Sequence, residues 1–157
     1  MAKRLELTNW TFNSNIVDIV DIELYEGFCY LISNLSTGQK YIGKKSVRKP
    51  IKTKVGRKTV VSYVESNWRK YKSSNRELSK QMKSDSSVFK CEILSFHCCK
   101  KDLNIAEIRW MFLFNTLRDD SFLNDNIAGR YYSAWYDNKP VELINPLVMD
   151  KWNTHHV

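Results

Sequence analysis

Residues 27–43 read GFCYLISNLSTGQKYIG. Apolar and polar positions alternate on both sides of a polar centre, the period-2 signature of a strand with one buried face. Residues 28–33 and 39–42 are the predicted arms of a β-hairpin. Residues 34–38, NLSTG, supply turn chemistry, with asparagine, serine and glycine as residues that turn the backbone. Each arm carries a tyrosine, Tyr30 and Tyr41, and Gly43 closes the second arm just before Lys44 and Lys45. A hairpin requires neither phenol, so their placement calls for a reason beyond strand propensity.

The chain outside this hairpin supplies the rest of a small domain. Upstream, residues 21–25 have the rhythm of a first edge strand. Downstream, residues 50–64 form a basic, β-branched excursion that includes TVVSYV at 59–64. Ser66 is placed as an N-cap for a short helix over 67–71, and Ser74 for a second over 75–82, with Glu77 at the capping-box position. Residues 88–96 (VFKCEILSF) alternate as a third strand. From Asp102 onward, LNIAEIRWMFLFNTL is the most apolar stretch and is predicted to be a buried central helix. The order of hairpin, helices, strand and long helix implies an α+β fold, a small antiparallel sheet flanked by helices. Aromatic residues Tyr131, Tyr132, Trp135, Tyr136 and Trp152 mark a loop-rich C-terminal segment.

With 157 residues, 43% of them hydrophobic and 13% aromatic, the chain is sized for one folded domain. No run approaches the roughly 18 apolar residues of a membrane span, and no leader is visible, so a cytoplasmic protein without membrane contact is expected. The four cysteines, Cys29, Cys91, Cys98 and Cys99, are read as free thiols. Neither His97-Cys98-Cys99 nor His155-His156 has the spacing of a closed zinc site. Net charge is +8, and it is unevenly spread. Between Lys40 and Lys72 lie twelve Lys or Arg and one acid, Glu65; elsewhere thirteen bases face sixteen acids. Such a basic block is an electrostatic footprint for a polyanion.

Glu107 stands out on the long helix. Leu103, Trp110 and Met111 lie three or four positions away, so they share its face. A carboxylate on an apolar face must be paired, protonated or bound to a cation, because burying it alone is costly.

Taken in order, these residues resemble the GIY-YIG nuclease family, whose two eponymous tripeptides occupy the arms of such a hairpin. Tyr41-Ile42-Gly43 reproduces the second tripeptide. Phe28-Cys29-Tyr30 stands where the first would be and keeps only its tyrosine, with Gly27 just before it. The family's arginine is matched by Arg69 in SNWRKY, with Arg48 as the alternative. Tyr71 and Lys72 follow, then VFKCEIL, then Glu107 with Trp110 behind it. The family's late asparagine is matched by Asn126, with Asn124 as the alternative. The resemblance covers residues 26–128, leaving 1–25 as an N-terminal extension and 129–157 as an aromatic segment packed on the domain.

The resemblance implies a metal-dependent DNA endonuclease of the small, phage-type kind, acting in a host cytoplasm. The expected cofactor is one Mg²⁺ or Mn²⁺, held by Glu107. Magnesium keeps several waters and needs only one or two protein carboxylates. Tyr30 is assigned as the base and Tyr41 as its positioning partner, with their pKa lowered by the cation and neighbouring bases. Arg69 serves the phosphate, Lys72 the phosphate or the water, and Asn126 completes the catalytic set. Lys44, Lys45, Arg48, Lys52, Lys54, Arg57, Lys58 and Lys70 are the expected contacts to double-stranded DNA. Because one site cuts one strand, cutting both requires a homodimer or two nicks. The alternatives from other classes are a DNA-binding module without catalysis, and a phage protein that binds a host protein.

Overall fold

The structure is a computed structural model that describes residues 7–17, 22 and 24–132. Its centre is the predicted hairpin. Strands β3 (Gly27–Asn34) and β4 (Lys40–Ser46) pair antiparallel, and β7 (Phe89–His97) pairs antiparallel with the other edge of β3. Asn34 fixes the turn, because its side-chain oxygen accepts from the backbone N–H of Ser36 and Thr37 at 2.9 and 3.2 Å. The fold is α+β, as the sequence implies.

The sheet is wider than that reading. Strand β1 (Trp10–Phe12) lies parallel to β7, and β2 (Asn15–Ile16) lies antiparallel to β1, giving the order β2-β1-β7-β3-β4 in a mixed sheet. Asn13 and Ser14 between them both have positive φ, 48° and 66°, the backbone of a tight two-residue hairpin turn. Among the described residues of the edge strand expected at 21–25, none is in a strand. Ile22 is helical and fully buried, Leu24 and Tyr25 lie in a bend, and residues 21 and 23 are outside the described residues. The apolar rhythm there reports one anchoring isoleucine.

Both sheet faces are covered. The even-numbered side chains of β3, Phe28, Tyr30 and Ile32, join Trp10, Trp68 and Ile93 on one face, where Leu78 and Met82 of helix α1 (Arg76–Ser84) pack. Cys29, Leu31 and Ile42 face the other way, toward Leu103, Ala106 and Met111 of helix α2 (Lys100–Leu113). Helix α2 is not the buried central element expected. Its Ile105, Phe112 and Leu113 are 58%, 51% and 44% exposed, because a helix lying on a sheet buries one stripe and leaves the rest to solvent.

The helix expected at 67–71 is a single 3₁₀ turn, Trp68–Lys70, ended by extended Tyr71 and by Ser73 at φ 90°. Asn75, not Ser74, caps α1 by accepting from Leu78 N–H at 3.0 Å. The basic excursion is a regular ribbon: β5 (Arg48–Val55) and β6 (Lys58–Glu65) pair antiparallel as a separate sheet, and all sixteen of their residues are exposed. A short pair, β8 (Asn126–Ile127) with β9 (Tyr131–Tyr132), closes the described chain. Most of the C-terminal aromatic segment, from residue 133, is outside the described residues.

Candidate functional site

The register of the hairpin explains the spacing of its tyrosines. Tyr30 stands opposite Gly43, and Ile32 opposite Tyr41, so both phenols project from one sheet face. Their ring centroids are 6.4 Å apart. Tyr30 lies directly over Gly43. A Cβ at residue 43 would sit 2.5 Å from the Tyr30 hydroxyl and 2.7 Å from its Cζ. Glycine closes the second arm because a buried phenol occupies the space of any side chain. Gly27 is constrained in a similar way: a Cβ there would meet the Lys45 carbonyl at 2.5 Å and Leu103 Cδ2 at 2.7 Å.

The two phenols differ in access. Tyr30 is fully buried; its hydroxyl lies 3.4 Å from the Tyr71 hydroxyl and also feels a hydrogen bond from Ser74. Tyr41 is half-buried and shares a hydrogen bond with Ser74 Oγ at 3.0 Å. Its ring lines a polar cleft of about 390 Å³ together with Ser74, Glu107, Asn124, Asp125 and Asn126. Glu107 reaches the cleft from α2, across the outer edge of β4. Lys44 lies two residues after Ile42, points to the α2 side and pairs with the Glu107 carboxylate. Lys45, on the opposite side, stacks over the Tyr71 ring at 4.2 Å and donates to Asn67 Oδ1 at 2.7 Å.

The β4 edge is sealed by a side chain. Asn124 is buried; its Oδ1 accepts from Ile42 N–H at 2.9 Å, and its Nδ2 donates to the Ile42 carbonyl at 2.8 Å. The Lys40 N–H donates to Ser121 O at 2.7 Å, and Leu123 N–H donates to Lys40 O at 2.8 Å. The 121–124 segment thus satisfies the edge as a strand would. Asn126 is turned to its own loop, donating to Asp125 Oδ1 at 2.9 Å and accepting from Gly129 N–H at 3.2 Å.

Burial pushes the Tyr30 phenol well above its ordinary range, and the neighbouring Tyr71 adds to the shift. Burial also raises Tyr41, against the pull of the Ser74 hydrogen bond; Tyr71, Glu107 and Asp125 raise it further. The protein's own groups therefore act opposite to the lowering expected from the sequence. Burial lowers Lys45, with Lys49 as a second cause.

The structure brings Tyr41, Glu107, Asn124 and Asn126 to one cleft, with Lys44 against Glu107 and Tyr30 behind Tyr41. Arg69 and Lys72 are not in its lining. Arg69 donates to Glu65 at 2.6 Å and stacks over Trp68 at 4.6 Å, at the foot of the ribbon. Lys72 is half-buried on the β7 side, where its charge acts on Cys91. Arg48 opens β5 opposite Glu65, and Lys70 is exposed at the end of the 3₁₀ turn. Sequence reasoning missed Asp125 as a cleft carboxylate and Ser74 as the Tyr41 partner. It also missed Lys44 as the Glu107 counterion, which strand alternation from Ile42 could have indicated.

A second network tethers α2. Trp110 Nε1 donates to Ser95 Oγ at 2.8 Å, Ser95 Oγ meets His97 Nε2 at 2.7 Å, and His97 Nδ1 meets Asp102 Oδ2 at 2.6 Å. The connectivity is that of a hydrolase triad. Asp102, however, is 60% exposed, and the chain joins both ends of α2 to β7, so it holds the helix that carries Glu107. Cys29 and Cys91 are buried, with thiols pushed by burial to about 12.

Residues 10–132 match the family described as "Putative endonuclease segE, GIY-YIG domain". The chain belongs to this GIY-YIG endonuclease family. The match begins at Trp10, in β1, and ends at Tyr132, in β9, so it takes in the whole five-stranded sheet. A nuclease family implies a nucleic-acid substrate. No curated protein and no solved structure matches the chain. Among the described residues, no helix is long and apolar enough to cross a membrane.

Proposed function

We propose that this GIY-YIG domain is a metal-dependent endonuclease that hydrolyses phosphodiester bonds of double-stranded DNA in the β4-edge cleft. The observation that carries this reading is the convergence there of a phenol, Tyr41, and a carboxylate, Glu107, with the ammonium of Lys44 against that carboxylate. The donors suit a hard divalent cation: Glu107 supplies a carboxylate, and Asp125 brings a second carboxylate to the cleft lining. Among the described residues no group of three or more His, Cys, Asp and Glu could form a closed metal cage. That fits Mg²⁺ or Mn²⁺ better than zinc, since magnesium is content with one or two carboxylates and water. Bound there, the cation would supply Lewis-acid polarisation of the phosphate and stabilise the leaving oxygen.

The chain's own residues would do the remaining work. Tyr41, open to the cleft, is the phenol placed to take the proton of an attacking water. Tyr30 is buried and fixes Tyr41 and Tyr71 by packing; this exchanges the roles expected from sequence. Lys44 pairs with Glu107, and beside a cation held by that carboxylate its ammonium would be in reach of a phosphate oxygen. Lys45, and Arg57 and Lys58 at the ribbon tip, hold flanking phosphates.

Glu107→Gln tests the reading, because it keeps the volume and removes the charge. With supercoiled plasmid and Mg²⁺, wild type is expected to nick and the variant to lose at least 10²-fold in rate. Duplex binding should stay within several-fold of wild type. Full-rate cleavage by the variant removes Glu107 from the chemistry. Binding without cleavage by wild type, in either cation, leaves a DNA-binding module instead.

A further inference from the structure

The β5–β6 ribbon has two chemically different faces. In its register Lys52 pairs with Val61, Lys54 with Thr59 and Pro50 with Tyr63; directly paired residues share a face. The first face therefore presents Lys52 and Lys54, with Pro50, Thr59, Val61 and Tyr63 around them. The other presents Ile51, Val55, Val60 and Val64, with lysines only at its two ends, Lys49 and Lys58. Gly56, at φ 61°, and Arg57 form the tip.

None of the sixteen strand residues is buried, so the ribbon contributes no side chain to the core. Its foot, by contrast, is fixed. Val47 is buried, its N–H donates to Glu26 O at 2.8 Å, and its carbonyl accepts from Ser66 N–H at 2.7 Å. Ser66 Oγ donates to Ser46 O at 2.6 Å, and Glu65 accepts from Trp68 Nε1 at 2.9 Å. The ribbon thus leaves directly from β4, the strand that carries Tyr41 and Lys44, with its foot held by these bonds.

We propose that the ribbon enters the major groove of duplex DNA beside the cut and selects the cleavage sequence, with Lys52 and Lys54 reading base edges. This rests on the nuclease reading above and names what would give it sequence preference. A two-stranded ribbon fits the major groove, and lysine is among the donors that read guanine O6 and N7 there. The first face offers such donors at its centre; the second offers only methyl groups, threonine and serine there. Eight residues at about 3.4 Å each reach about 27 Å, or some eight base pairs at about 3.4 Å per step. The preference should therefore lie within about eight base pairs of the cut, on one side of it. Arg57 and Lys58, at the tip, fall on phosphates.

The test is cleavage of a duplex library randomised around a fixed position, by the full-length protein with Mg²⁺, followed by sequencing of the new ends. Three proteins are compared: wild type, Lys52→Gln with Lys54→Gln, and Ile51→Thr with Val60→Thr. Wild type should show position-specific enrichment inside the eight-base-pair window. The lysine variant should flatten it by on the order of tenfold at the enriched positions, and the aliphatic variant should leave it in place. Wild-type ends without enrichment in that window overturn the proposal. So does enrichment that survives the lysine changes, or that is lost with the aliphatic ones. All four sites are exposed, so folding is not at risk. If wild type does not cut, the nuclease reading fails, and the same library selected by binding tests the ribbon alone: enrichment lost in the lysine variant supports it, and unselective binding overturns it.

Discussion

Two hairpins stand next to each other in this chain, and they differ in everything except backbone pairing. The β3–β4 hairpin pairs seven residues across and the β5–β6 ribbon pairs eight, both antiparallel. In β3 every residue but Ser33 is buried; in β5 and β6 every residue is exposed. Ladder hydrogen bonds are thus similar while the energetics are not. An isolated two-stranded hairpin is marginal in water, and three or more strands with a hydrophobic face are needed for independent stability. The first hairpin has β7, Trp10, Trp68 and α1 on one side and α2 on the other. The second has only its tethered foot. One is therefore intolerant of added volume, and the other is free to carry charge.

The largest expected effect breaks the first hairpin at its tightest point. In Gly43→Ala the new methyl meets the Tyr30 hydroxyl at 2.5 Å, and the Tyr30 ring cannot retreat because Trp10 and Phe28 pack on it at 5.3 and 6.4 Å between centroids. Overpacking of this kind costs about 1–3 kcal/mol. Displacement of Tyr30 also shifts Tyr41, so DNA cleavage should fall at least 10²-fold, beyond what lost stability explains. Denaturant midpoints and plasmid cleavage measured on the same preparation check both. An alanine variant with wild-type stability would mean that the phenol does not hold this position. The matching change in the ribbon, Gly56→Ala, meets nothing within 4 Å and carries only the strain of φ 61°.

The next effect separates the two phenols. Tyr41→Phe should lower the cleavage rate by on the order of 10² or more, the size expected for a lost proton acceptor. Tyr30→Phe should cost less in rate, because its hydroxyl is buried behind the cleft that Tyr41 lines. The Tyr41 pKa lies above its ordinary value, so little phenolate is present at neutral pH. A rate that depends on phenolate should climb with pH between about 7 and 10, and the climb should vanish in Tyr41→Phe. A climb retained there and lost in Tyr30→Phe would return the base to Tyr30.

How much of this was legible depended on the range of the interaction. The β3–β4 hairpin could be read directly, since its alternation, its Asn34 turn and its two tyrosines are local. Glu107 could be singled out by its three- and four-residue neighbours on α2. The 3₁₀ turn at Trp68 hid behind a capping serine, because Tyr71 goes extended right after Lys70 and no local signal marks that. Strand β1 was missed because three residues gain a strand's identity only by pairing with β7, some eighty positions away. The burial of Tyr30 and the capture of Asn124 by the Ile42 backbone are likewise tertiary facts. Arg69 illustrates the same point. Its place in the order of residues suggested a phosphate partner, whereas its side chain closes the foot of the ribbon through Glu65.

The smallest stability effect, and the one that sharpens the contrast most, comes from the ribbon. Neutralising Lys52, Lys54, Arg57 and Lys58 together to glutamine touches four exposed side chains. Each surface change should move stability by no more than about 0.5 kcal/mol, so the melting midpoint should hardly shift. Duplex binding should respond strongly. The two phosphate contacts of Arg57 and Lys58 are removed at about 0.9 each, so the slope of log K against log salt should flatten by up to about 1.8, and the lost base contacts of Lys52 and Lys54 lower affinity further. Single-turnover cleavage at saturating DNA should change far less, because binding lost equally from ground and transition states appears mainly in affinity. A titration from low to moderate salt, wild type beside the quadruple variant, reads the slope directly. An unchanged slope with unchanged affinity would make the ribbon a solvated surface and move the phosphate path to Lys44, Lys45 and Lys70. A lowered melting midpoint would mean instead that the two hairpins are coupled after all, through the foot at Val47 and Glu65.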